Sequence, residues 1–164
     1  MDEGRQPIQA RPRAKALSLK KPADLHADPH AGRILPVVVI AAFNNKGEVL
    51  LLKRQKPPFS GYWEFAGGRL EFGETLEAAA RRELFEETGL KPAGVKFVAV
   101  KEWHMPAYHR LVFLFACRVK SVKVKLSEQS AYEWFREPPA KTIPIVKAMI
   151  PTARKALLTK RRRK

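Results

Sequence analysis

The sequence predicts an α+β fold, a sheet sandwiched by helices, and three observations lead there. Six apolar or β-branched runs of strand length, beginning with Ile34–Ile40, are separated by turn residues. Two longer stretches, 75–88 and 144–158, consist mostly of helix formers. Strands and helices do not alternate regularly, which argues against a doubly wound nucleotide fold.

Each element follows in order. Residues 1–33, rich in Pro, Lys and Arg and without periodicity, read as a flexible basic arm. Order is expected from Ile34–Ile40, whose branching and length suit a buried strand. Asn44-Asn45-Lys46-Gly47 makes a turn tolerant of positive φ, and Val49–Leu52 returns as the second arm of a hairpin. Pro57, Pro58 and Gly61 mark a loop before the short strand Trp63–Phe65. Thr75–Thr88 contains neither Gly nor Pro, and Gly89 follows it as a C-cap, so it reads as a helix. Val95–Val100, Leu111–Val119 and Ala131–Phe135 read as strands. Pro144–Leu158 reads as a helix that Pro151 is expected to kink or break.

Composition bounds the partners. The 164 residues hold 32 Lys and Arg against 16 Asp and Glu, a formal net charge of +16. Such a balance invites the reading of a nucleic-acid binder. The charge is uneven, however: +3 in residues 1–33, +4 in 34–140 and +9 in 141–164. A folded domain over 34–158 then carries +8 on 125 residues, and a tail over 159–164 carries +5 on six. That tail either contacts RNA, DNA or another acidic partner, or is a disordered solubilising or nuclear-localisation-like end. Cys117 lies in an apolar run and reads as a buried reduced thiol. No apolar stretch reaches the roughly 18–20 residues of a membrane helix. The start Met1-Asp2-Glu3 lacks the apolar core of a secretory signal. A soluble cytoplasmic protein with no membrane partner is expected, with nucleus or organelle open for a eukaryotic source.

The chemistry concentrates in Gly67–Leu90, GGRLEFGETLEAAARRELFEETGL, which holds Glu71, Glu74, Glu77, Glu83, Glu86 and Glu87. At 100° per helical residue, Glu83, Glu86 and Glu87 share an arc of about 100° that overlaps the apolar positions Leu76, Ala80 and Leu84. Carboxylates clustered on a core-facing side repel one another and resist desolvation. A divalent cation relieves both costs, and hard oxygen donors select Mg2+, Mn2+ or Ca2+ over zinc. The alternative is a surface helix whose glutamates pair with Arg81 and Arg82.

The spacing carries more. Gly68, five residues, Glu74, seven residues, then Arg82-Glu83-Leu84-Phe85-Glu86-Glu87-Thr88-Gly89-Leu90 resembles the Nudix box, G-x5-E-x7-R-E-U-x-E-E-x-G-U, with U a bulky aliphatic residue. Trp63-Glu64-Phe65-Ala66-Gly67-Gly68 is similar to the strand entering that box in MutT-type members, with Ala66 in place of the usual proline. The resemblance implies an α/β/α sandwich with a mixed sheet and a loop–helix unit. It also implies a Mg2+-dependent hydrolase, with Mn2+ as substitute, acting on the pyrophosphate of a nucleoside di- or triphosphate or nucleoside diphosphate-X compound. Carried over by position, Glu83, Glu86 and Glu87 would be the metal-binding and base carboxylates, and the Gly67 carbonyl would complete a metal's coordination. Arg82 would orient the box carboxylates and Glu74 would be a structural partner. Glu128, within a segment resembling E-x4-E-W, is the candidate acid from outside the box, or else an ordinary loop residue.

Substrate residues are less legible. Phe65 would face the base pocket in MutT-type enzymes, or be core. Lys53, Arg54 and Lys56 could hold phosphates, or form a solvated strand end. Thr142 or Lys141 stands near where some members place an Asn that reads an oxidised guanine, which argues against that substrate. His104, Tyr108 and His109 flank a Pro-containing turn that would cover the pocket. Two alternatives stand beside the free-nucleotide hydrolase: an RNA 5′-end pyrophosphohydrolase, and a non-catalytic nucleotide- or nucleic-acid-binding module of the same fold.

Overall fold

A computed structural model describes residues 32–105, 109–127, 129 and 131–159. The proposed arm before residue 32 and the run Lys160–Lys164 lie outside the described residues. Seven strands and two helices occur among those described: β1 (Ile34–Phe43), β2 (Val49–Lys53), β3 (Trp63–Glu64), β4 (Ala66–Arg69), α1 (Leu76–Thr88), β5 (Val95–His104), β6 (His109–Arg118), β7 (Ala131–Phe135) and α2 (Pro144–Leu158).

Strand β1 organises the sheet. It runs parallel to β6 over its whole length, from Ile34 opposite His109 to Phe43 opposite Arg118. On its other side it pairs antiparallel with β4, placing Val38 opposite Gly68 and Val39 opposite Gly67. The sheet is therefore mixed. The expected β1–β2 hairpin is corrected in its extent: the turn closes, with Asn44 N donating to Glu48 O at 3.0 Å, but pairing stops at Phe43 and Val49. Beyond that, β2 leaves β1 and pairs with β7 along its length and with β3 at its end. The strand read at Trp63–Phe65 ends at Glu64 as β3, and after Phe65 a further strand, β4, begins.

Side chains sort by alternation into two cores. Val38, Ile40, Leu50, Leu52, Phe115 and Cys117 face α1 and meet Ala79, Ala80 and Leu84. Ala41, Phe43, Leu51, Val112 and Leu114 face α2 and meet Val146, Met149 and Ile150. With both faces covered, β1, β2 and β6 read as unbroken apolar runs instead of alternating ones. Helix α2 continues through Pro151, so the break considered there does not occur. Pro151 and Lys147, whose carbonyl loses its helical donor there, both lie on the exposed face, open to solvent. Cys117 is buried, as expected, and burial pushes its thiol up to about 12.

Candidate active site

The site forms where β4 runs beside α1. Thr75 caps the helix, its hydroxyl accepting from Ala78 N at 3.1 Å, and Gly89 ends it in the left-handed conformation at φ 69°. Between those caps the helix sets Leu84 into the core and leaves Glu83 and Glu87 at its margin, facing the backbone of β4. Gly68 is required for that approach, because a Cβ there would overlap the Glu83 carboxylate. Gly68→Ala is expected to displace Glu83 and lower turnover by about tenfold or more while leaving the helix content intact, measured by kinetics beside circular dichroism.

Glu87 is held most closely. Its Oε2 accepts from Gly67 N at 3.0 Å and its Oε1 from Gln129 Nε2 at 3.0 Å. A residue in an antiparallel ladder presents its N–H and C=O to the same side. The Gly67 carbonyl is thus turned toward the glutamates and away from β1. Burial pushes the Glu87 carboxyl up to about 7, and the charges of Glu64 and Glu83 act in the same direction. Burial also raises Glu83, whose side chain is 12% exposed, against the pull of Arg82.

Arg82 ties the acidic groups together. Its guanidinium donates to Glu74 at 2.7 and 3.1 Å, to Glu83 at 2.8 Å, to Glu86 at 3.1 Å and to the Arg69 carbonyl at 3.2 Å. Glu71 lies 3.8 Å away, and its N–H donates to Glu74 at 2.8 Å. These bonds keep the Glu74 carboxyl below its ordinary range and hold Arg82 firmly charged. Glu86 is 54% exposed and open to solvent. Arg81 instead pairs with Glu77 at 3.0 Å and donates to the Pro92 carbonyl, so both arginines pair with glutamates, Arg81 with one outside the cluster and Arg82 within it.

Two residues join from outside the box that sequence reasoning did not single out. Glu64 lies close enough to raise Glu87, and burial raises its own pKa. Gln129 reaches Glu87 from the segment expected to supply an outside acid, whereas Glu128 itself lies outside the described residues. Glu64 was visible as a lone carboxyl in an otherwise apolar strand beside the box.

The substrate residues fall differently. Arg54 is engaged: it grips both oxygens of Glu64 at 3.2 Å and donates to the Pro58 and Pro57 carbonyls at 2.8 and 3.3 Å. It closes the loop ahead of β3. Phe65 is 3% exposed within the α2-side core, so its ring offers no face to a base. Lys53 stands over the Trp63 ring at 5.9 Å. Thr142 is buried and its hydroxyl donates to the Pro139 carbonyl at 2.8 Å, a structural staple. His104 and His109 pair across the β5–β6 ladder, with β1 standing between β6 and β4. They do not cover the glutamates; Tyr108 lies outside the described residues.

The NUDIX domain family matches residues 33–162, and the chain belongs to that family. The human NAD-capped RNA hydrolase NUDT12 is 36% identical over 103 residues, covering 63% of this chain and 22% of that protein. The NAD-capped RNA hydrolase NudC of Vibrio vulnificus (strain CMCP6) is 30% identical over 125 residues, covering 74% of this chain and 47% of that protein. The chain thus spans less than half the length of these curated relatives. A crystal structure of a MutT NUDIX hydrolase from Burkholderia pseudomallei superposes with a TM-score of 0.68, covering 73% of this chain and 98% of that one at 22% identity, a likeness of fold.

Proposed function

We propose that the chain is a divalent-cation-dependent hydrolase of the pyrophosphate bond in a nucleoside di- or triphosphate or a nucleoside diphosphate-X compound. The observation that carries the reading is the convergence of Glu83, Glu86 and Glu87 with the Gly67 backbone on one face of α1. Six carboxylates, Glu64, Glu71, Glu74, Glu83, Glu86 and Glu87, gather there, with Arg54 bound to Glu64 and Arg82 to Glu74, Glu83 and Glu86. Burial raises Glu83 and Glu87, and the neighbouring carboxylates add to the rise. The donor set fits hard cations such as Mg2+, with Mn2+ as substitute.

Glu83, Glu86, Glu87 and the Gly67 carbonyl would hold the cation, which supplies charge screening for the pyrophosphate and a lowered water pKa. Arg82 fixes the rotamers of Glu83 and Glu86, so the carboxylates are placed before substrate arrives. Glu87, fastened by Gly67 and Gln129, keeps one orientation. Glu64, clamped by Arg54, adds negative charge beside it.

A second reading is an RNA 5′-end substrate. It is supported by the names of the relatives, NAD-capped RNA hydrolases, and by the +9 charge of residues 141–164. One panel separates the readings: nucleoside triphosphates, ADP-ribose, NAD, dinucleoside polyphosphates, 5′-triphosphate RNA and NAD-capped RNA, each with Mg2+. Glu86→Gln is expected to lower turnover of every substrate by about 100-fold or more. Activity unchanged in that variant would sink the mechanism. A chain ending at Leu158 that loses only the RNA substrates would favour the second reading.

A further inference from the structure

A second group of ligating side chains stands at the far end of the β5–β6 ladder. His104 pairs directly with His109, and Glu102 pairs with Leu111 two residues along. Side chains of cross-strand partners, and of residues two apart, share one face of a sheet. Glu102, His104 and His109 therefore project together, on the face that carries Phe113 and Phe115 toward α1. One nitrogen from each imidazole and one carboxylate oxygen lie within 4.8 Å of one another. The two rings stack at 3.9 Å between centroids, and His104 Nε2 lies 3.7 Å from Glu102 Oε2.

An independent observation concerns His109 alone. Its Nε2 is buried and has no hydrogen-bond partner among the described residues. A buried imidazole nitrogen without a partner is desolvated and unsatisfied, and a metal ion is one of the groups that satisfies it. The strand holds this residue in place, because its N–H donates to the Arg33 carbonyl at 3.1 Å where the β1–β6 ladder begins.

We propose that Glu102, His104 and His109 bind a borderline divalent transition-metal ion, with Zn2+ the ion that their chemistry fits best. Two imidazoles and one carboxylate form a three-ligand set that leaves a fourth tetrahedral position to water. Ligands around such an ion stand about 3.3 Å apart, a separation that rotation of the exposed His104 and Glu102 side chains reaches. The site is distinct from the glutamates of α1. Strand spacing and rise place His109 roughly 15 Å or more from Gly68 in the plane of the sheet. The donors differ too: hard carboxylates at one site, nitrogen-rich at the other. Bound there, the ion would tie the ends of β5 and β6 together.

The test is a Zn2+ titration of the full chain by calorimetry, in excess Mg2+ to occupy the carboxylate site. Co2+ absorption reports the coordination geometry. One Zn2+ per chain is expected, together with the intense visible bands of tetrahedral Co2+ and a rise in melting temperature. His104→Ala, at an exposed position, is expected to weaken Zn2+ by about tenfold or more without changing the far-ultraviolet spectrum. His109→Gln should act likewise, and Glu87→Gln should leave Zn2+ affinity intact. Absence of Zn2+ binding with Mg2+ present overturns the proposal. So does binding that survives His104→Ala or that disappears in Glu87→Gln.

Discussion

Arg82→Ala is expected to lower turnover by about 100-fold and to destabilise the fold by about 2–3 kcal/mol. The guanidinium bonds Glu74, Glu83, Glu86 and the Arg69 carbonyl at once, so its removal leaves partly buried carboxylates facing one another. Breaking a fully buried pair costs about 3–5 kcal/mol, and Arg82 retains some access to water, which reduces the figure. Arg82→Lys is expected to recover little, because an ammonium lacks the planar fork that reaches Glu74 and Glu83 together. Chemical denaturation and steady-state kinetics check both effects. Full activity in Arg82→Ala would show that the carboxylates need no such organiser.

Glu87 yields the second large effect, in the pH dependence of stability without metal. Its carboxyl rises from 4.5 to about 7 on folding, chiefly through burial. The folded state therefore holds a proton that the unfolded state releases. Stability from this group is full below about pH 4.5 and is lost as pH rises to about 7, a change of about 3 kcal/mol. Glu83 and Glu64 are raised as well and tilt stability the same way. Glu87→Gln is expected to flatten most of this slope, as read by denaturation midpoints between pH 4.5 and 8. Mg2+, which favours the ionised carboxylates, is expected to stabilise the protein more at pH 8 than at pH 5. A metal-free stability that climbs across this interval would contradict the assignment.

The local features were legible because each is written within one or two helical turns. The box spacing located α1, Thr75 and Gly89 bounded it, and the angular arc put Glu83 and Glu87 at the margin of the core. Arg82 was legible as an organiser because it sits one and four residues from Glu83 and Glu86 on the same helix. Arg54 was not legible. Its partners Glu64, Pro57 and Pro58 meet it through a loop closure, and nothing in the local pattern distinguishes a clamp from a free cation.

Phe65 shows the same limit from the core side. An aromatic two residues before the glycine pair fits either a pocket wall or a buried anchor, and only the covering of that face by α2 decides it. Likewise Gln129 became part of the site because its loop arrives beside Glu87, forty-two positions away in the chain.

By itself, then, the sequence determined the helices, the apolar runs, the acidic face of α1 and the concentration of +9 in residues 141–164. Only the tertiary structure decided that β1 pairs parallel with β6 and antiparallel with β4, and that Glu64 and Gln129 stand beside Glu87. The reason is physical. Periodicity and capping depend on neighbours a few residues away, whereas strand partners are chosen by the burial of both sheet faces at once, a property of the whole chain.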